Sequence, residues 1–228
     1  MTGALMNVIA VDRDDVPEFD DWYSREHFPE RLAVTGFRNA RRFVEDPDRG
    51  AARVEYFSIY ETDSVEVLTS PEYLAALDSP TPRTKNAVAL FRQNERTVGT
   101  RRFRGGLGRT GRILLGRITG GVGMNGSLVE AVEDIARATI ESGLAEGVAV
   151  YETDAVAASA KDSTAEGKAA GSAAAAAADE RPSVFVVIEQ YGSLAVSPTG
   201  SVSAAVDRIG AHARWSTYRL VSDQSSQS

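Results

Sequence analysis

The chain has 228 residues, 43% hydrophobic and 25% charged, a composition of globular rather than disordered or fibrous proteins, and a length that admits one large domain or two small ones. Twenty-five Lys and Arg against 32 Asp and Glu leave a formal charge of -7 at pH 7, which argues against nucleic acid as the main partner. With no cysteine, disulfides, thiolate nucleophiles and thiolate-bound metals are excluded, and a reducing, cytoplasmic location is expected. The apolar start, Met1 to Val11, is short and runs into Asp12-Arg13-Asp14-Asp15, unlike a signal peptide; no charge-free apolar run reaches the ~18 residues of a membrane span.

In chain order, Ala4–Val11 is almost continuously apolar and reads as a strand buried on both faces. A helix follows, with Asp15 as its cap, Glu18 completing a capping box, Phe19, Trp22, Tyr23 and His27 at helical spacing, and Pro29 as its end. Gly36–Glu45 and Arg53–Glu61 alternate with period two about Asp46-Pro47-Asp48-Arg49-Gly50, which predicts a hairpin. Ser70 caps a short helix opened by Pro71, and Ala87 to about Phe103 reads as a strand. The same order returns in Arg112–Thr119 (strand), Ser127–Ser142 (helix), Gly147–Glu152 and Ser183–Tyr191 (strands), Ser201–His212 (helix) and Trp215–Val221 (strand).

The expected fold class is therefore α+β, with two tandem ferredoxin-like βαββαβ units at 1–105 and 112–222, a linker at 106–111 and a disordered tail at 223–228. Within the second unit, 154–182 is rich in Ala, Gly, Ser, Lys and Glu and includes the run Ala173–Ala178. It reads as a mobile or transiently helical excursion without functional content.

The segment from Trp22 to Arg31 holds one of only two histidines, beside carboxylates, arginines and large aromatics. His27, placed at a helix end with Glu neighbours, is expected to favour its protonated form and to serve as a general acid or a cationic anchor for an anionic substrate. Packing accounts for the same residues, with Phe19, Trp22 and Tyr23 as a core face and His27 and Glu26 fixing the chain at Pro29. Arg41 and Arg42 point to opposite faces of their strand, and whichever faces the helices can bind a carboxylate.

The run W-Y-x-x-E-H-x-P-E-R-L-A-V-x-G-F-x-x-A-R-R-F, followed by Y-F-S-I-Y-E, V-L-T-S-P-E-Y and P-T-P at 80–82, resembles EthD-like and related proteins of the dimeric α/β-barrel superfamily over roughly residues 5–103. The resemblance implies that two ferredoxin-like units lay their sheets together to form a barrel, here within one chain as an intrachain dimeric-α/β-barrel-type pseudo-dimer, with further homodimerisation left open and a ligand cavity between sheet and helices. It places the family's W-Y…E-H…E-R pattern on Trp22, Tyr23, Glu26, His27, Glu30 and Arg31, and lets Tyr56 and Tyr60 face the same cavity. The sequence departs from the pattern at Thr35 and Arg83, and the second half carries no copy of the cluster.

Other motifs carry less. Gly121–Gly126 matches G-x-G-x-x-G between a strand and a helix, but the next strand-end acid, Glu152, lies 26 residues past Gly126, farther than a dinucleotide site requires. Seven arginines between Arg96 and Arg117 lack the aromatic platform of RNA-binding units. His212, ending the last helix, is where heme enzymes of the resembled superfamily can place an axial ligand.

The reading is thus a cofactor-independent small-molecule enzyme of lyase, isomerase or cyclase type acting on an aromatic or carbonyl-containing metabolite. Its expected catalytic residues are His27, Glu26 and Tyr60; its expected substrate-binding residues are Trp22, Tyr23, Arg31, Arg42, Tyr56 and Tyr73. No cofactor, metal, nucleic acid or membrane is expected as partner. The alternatives are a non-catalytic ligand-binding or assembly protein and a heme protein.

Overall fold

The computed structural model describes residues 1–46, 51–120, 125–170, 182–190, 199–208 and 210–226. In chain order the elements are β1 (Gly3–Asp12), α1 (Val16–Trp22), α2 (Phe28–Leu32), β2 (Phe37–Glu45), β3 (Arg53–Thr62), α3 (Pro71–Asp78), α4 (Pro82–Val88) and β4 (Phe91–Gly105). There follow β5 (Arg112–Thr119), α5 (Asn125–Glu141), β6 (Gly147–Thr153), α6 (Ala155–Ser159), α7 (Ala165–Ala169), β7 (Val184–Glu189), α8 (Thr199–Arg208) and β8 (His212–Ser225). Among the described residues no helix is long and apolar enough to cross a membrane.

The expected architecture of two tandem ferredoxin-like units forming a pseudo-dimer is overturned by the strand order. The eight strands join into one closed barrel, β1-β3-β2-β8-β5-β7-β6-β4. Periodicity identifies strands but not which edges meet, and a chain order compatible with two separate sheets is equally compatible with a single closed one. Two compact units are nonetheless distinguishable by their internal packing: Met1–Thr100 with Asp154–Ala176 and Val221–Ser228, and Arg101–Thr153 with Ala177–Leu220. The described part of the excursion, 154–170, thus packs with the first unit, not with the second as its chain position implies.

In the first unit β1 lies between β3 and β4, antiparallel to both, and β2 pairs with the other side of β3. Nine of the ten β1 residues are buried, as its unbroken apolar run requires of a strand covered on both faces. Helices α1 to α4 cover one face through Phe19, Trp22, Tyr23, Phe28, Tyr73, Leu77, Ala87 and Val88, which share a core with Leu5, Ile9, Tyr56, Tyr60 and Val98 of the strands. In the second unit β7 lies between β5 and β6, β5 pairs with β8, and α5 packs Leu128, Val132 and Ala136 against Leu114, Val148, Val150 and Val186.

Several local expectations change. Asp15 makes no side-chain cap bond, and a short 3-10 turn, Arg13–Asp15, precedes α1 instead. Pro29 does not end the helix. The chain stays helical from Val16 to Leu32 through a π turn at Tyr23–His27, in which the Phe28 N–H reaches back five residues to the Tyr23 carbonyl. Proline has no N–H for the carbonyl four residues before it and its ring crowds that group, so a widened turn relieves both. Residues 82–88, of which Ala87 and Val88 were expected to open a strand, form α4, whose cap is the Thr81 hydroxyl accepting the Thr84 N–H. The strand β8 extends to Ser225, into the expected tail, because Ser226 N–H donates to the Arg38 carbonyl and Gln224 Nε2 to that of Ser24. The turn residues 47–50, positions 121–124 of the glycine motif and the alanine run 173–178 lie outside the described residues.

Gly36 joins α2 to β2 at φ 92, a left-handed conformation, and a Cβ there would lie 2.7 Å from Val67 Cγ2. Gly36→Ala is therefore expected to cost about 1–3 kcal/mol with an unchanged denaturant slope, read from urea unfolding.

Candidate functional site

The π turn sets which side chains look inward. Trp22, Tyr23, His27 and Phe28 are all buried, a set that a widened turn can place on one side. The His27 ring lies 4.6 Å from Trp22, 4.8 Å from Tyr23 and 6.3 Å from Tyr60, centroid to centroid. Trp22 donates its indole N–H to Thr84 Oγ1 at 3.1 Å. Tyr60 donates to the Tyr23 hydroxyl at 3.2 Å, and Tyr23 and Ser58 Oγ share a bond of 2.6 Å. Asn7, paired in register with Ser58, also bonds Tyr23.

One more turn along, Arg31 is buried with 3% of its side chain exposed and is paired with Glu166, equally buried on α7. Lys161 Nζ meets the other oxygen of the same carboxylate at 2.9 Å. Burial opposes the Glu166 charge, but the Lys161 and Arg31 cations outweigh it and hold the carboxyl down to about 2. Burial also works against the Arg31 charge, and Glu166 more than restores it.

His27 does not carry the charge expected of a helix end. It sits inside the helix, desolvated, with Arg31, Lys161 and Arg42 adding positive potential against a partial offset from Glu166, and its pKa falls well below the ordinary value. The imidazole is neutral, and its Nδ1 is buried with no hydrogen-bond partner among the described residues. Burial likewise pushes Tyr60 well above, and Tyr23 above, the usual phenol pKa, so both hydroxyls keep their protons.

The structure brings Trp22, Tyr23, His27, Arg31 and Tyr60 together. Tyr73 joins them from α3, its ring under the Arg31 guanidinium at 5.8 Å and against Phe37 at 5.4 Å. Arg42 and Tyr56 form an adjoining group: the Arg42 guanidinium lies over Tyr23, Tyr56 and Phe19 at 4.9, 5.2 and 5.6 Å and is paired with Asp20 at 2.9 Å. Glu26 is placed elsewhere, its carboxylate accepting the Thr81 and Thr84 hydroxyls at the start of α4. It therefore does not orient His27.

Sequence reading missed Glu166, Lys161 and Arg96. The first two sit in the excursion read as functionless, which instead folds as α6, a 3-10 turn at Ala160–Ser163 and α7. Its signal was present in the caps: Asp154 accepts the Ala157 N–H and Thr164 the Gly167 N–H. His212, expected to end a helix, opens β8 and is exposed. Among the described residues no group of three or more His, Cys, Asp or Glu is arranged to hold a metal ion.

No protein-family profile matches the sequence, and no curated protein matches it. Solved structures do share the fold. An anthrone oxidase-like protein matches at a TM-score of 0.60 and 11% identity over 100% of this chain and 94% of that one. A candidate monooxygenase from Lactobacillus acidophilus matches at 0.57 and 9% over 99% and 97%, and another from Fusobacterium nucleatum at 0.57 and 5% over 97% and 94%. These neighbours belong to the dimeric α/β-barrel superfamily, and at such low identity the likeness establishes a common fold.

Because the folded pKa of His27 lies below the 6.5 of a free imidazole, the unfolded chain takes up a proton there that the folded chain refuses. The stability this contributes is complete above pH 6.5 and is lost as the pH falls through that value. A His27→Phe protein is expected to lack this part of the slope in unfolding free energy between about pH 7 and 5.5, measured by urea titrations across that range.

Proposed function

We propose that the protein is a small-molecule enzyme that moves a proton with its own side chains in the first unit. The observation that carries this reading is the neutral, buried His27, its Nδ1 unpartnered, among two protonated tyrosines and the Arg31 guanidinium. An unpartnered buried polar atom costs about 1–3 kcal/mol, and such a cost points to a partner met during function.

In this reading Nδ1 accepts a proton from a C–H or O–H of a substrate activated by a neighbouring carbonyl or aromatic ring. The oxyanion so formed is stabilised by Arg31 and by a tyrosine hydroxyl that burial keeps protonated. The cations that disfavour an isolated imidazolium favour an imidazolium paired with this oxyanion. Return of the proton to another carbon completes an isomerisation, and loss of a leaving group completes a lyase reaction. Trp22 and Tyr73 supply flat apolar surface for a ring.

The oxidase and monooxygenase names of the structural neighbours favour a second reading, in which the same deprotonated substrate meets dioxygen. An activated CH2 and O2 then yield a carbonyl and one water, which balances without a further reductant.

The test is solvent-deuterium exchange, followed by NMR, into a panel of aryl ketones and phenols with and without a ring carboxylate. Exchange is expected with the wild-type chain and should fall by about 100-fold or more in His27→Ala. Equal exchange in both, or none across the panel, would sink the enzyme reading in favour of a non-catalytic ligand-binding protein. Label from oxygen-18 gas appearing in a product would select the second reading over isomerase or lyase chemistry.

A further inference from the structure

The segment Asp154–Ala169 is held to the rest of the first unit by polar ties. Asp154 N–H donates to the Val98 carbonyl at 2.7 Å, Ala165 N–H to Asp78 Oδ1 at 2.9 Å, and Arg96 Nη1 to the Ala158 carbonyl at 2.7 Å. Glu166 meets Arg31. Apolar burial adds little: Ala157 is the buried hydrophobic residue of the segment, while Val156, its largest apolar side chain, is 82% exposed. Elements held this way open at lower free energy than the core beneath them.

The charges are distributed unevenly across that boundary. Glu166 has a counter-ion on its own segment, Lys161, which would leave with it. Arg31 is fixed on α2 and would be left with its ring neighbour Tyr73 but without its carboxylate. Arg96 would also lose its tie to Ala158 and keep only its contact with the Tyr73 hydroxyl, 3.5 Å from Nη2. Its Nε is already buried without a hydrogen-bond partner among the described residues. One guanidinium over the Tyr73 ring and another at its hydroxyl, with Tyr60 and Phe37 alongside, have the chemistry that recognises a planar organic anion.

We infer that Asp154–Ala169 is a cover, that Glu166 occupies in the closed chain the seat of a substrate carboxylate on Arg31, and that small aromatic carboxylates enter by exchanging with it. This deepens the reading of the site as a small-molecule enzyme by naming the substrate class, and it rests on that reading. Glu166 acts as an internal competitor, so the apparent affinity for a free anion is lowered by the fraction of time the seat is filled.

The test is a titration of the full chain with benzoate, followed by calorimetry, with benzamide as the neutral isostere. Glu166→Gln is expected to bind benzoate about tenfold or more tighter than wild type while benzamide affinity stays unchanged. A folded Glu166→Gln protein with no gain, or with an equal gain for benzamide, overturns the inference. Should that variant fail to fold, limited trypsin digestion of the wild-type chain decides. Saturating benzoate should speed cleavage after Lys161, whereas unchanged or slowed cleavage, or no benzoate binding, overturns it. A gain in benzoate affinity without His27-dependent exchange would keep the seat and remove the enzyme; exchange without the gain would do the reverse.

Discussion

A guanidinium cannot shed its proton, so once Arg31 is buried its charge must be answered inside the protein. Glu166 answers it, and much of the first unit's site follows from that requirement. The pair joins α2 to a segment more than a hundred residues distant in the chain, and Lys161 brings a second cation to the same carboxylate. Together these charges set the potential in which His27 and the tyrosines sit.

The protonation states sort accordingly. Buried titratable groups without a counter-charge are neutral: His27 loses its proton, while Tyr23 and Tyr60 keep theirs. Groups that cannot become neutral are matched, Arg31 with Glu166 and Arg42 with Asp20, and both guanidiniums lie against aromatic rings that tolerate them. The result is an aromatic core with polar atoms threaded through it, from Asn7 and Ser58 on the strands through Tyr23 to Tyr60. Such a network is costly to assemble for packing alone, and it gives the proposed chemistry its hydrogen-bond donors without any rearrangement of the sheet.

Much of the fold was legible because strands announce themselves by period two and by unbroken apolar runs: β1, β2, β3, β5 and β6 fall within about two residues of expectation. The order in which the strands join was not, because it depends on how edge strands pair, which no local pattern encodes. Helix α4 was hidden by Ala87 and Val88, which suit a strand as well as a helix, although Thr81 followed by Pro82 is a helix start. At the site, Trp22, Tyr23, His27 and Arg31 could be grouped by helical spacing, and Tyr60 by its strand parity. The charge of His27 could not, since it depends on where the helix ends and on cations that sequence distance conceals. Glu166 was lost among alanines, whose abundance was read as absence of structure.

The π turn at Tyr23–His27 has a geometric meaning beyond the burial of four aromatic rings. One extra residue in a helical turn advances everything after it by about 100° around the axis. The side chains of α2 are therefore out of phase with those of α1, and it is from this offset helix that Arg31 meets Glu166. The helix behaves as a phase shifter: before the turn it lays Phe19 and Trp22 into the core, after it Phe28 goes to Tyr60 of the sheet and Arg31 to Glu166, and a single residue keeps the two halves in step.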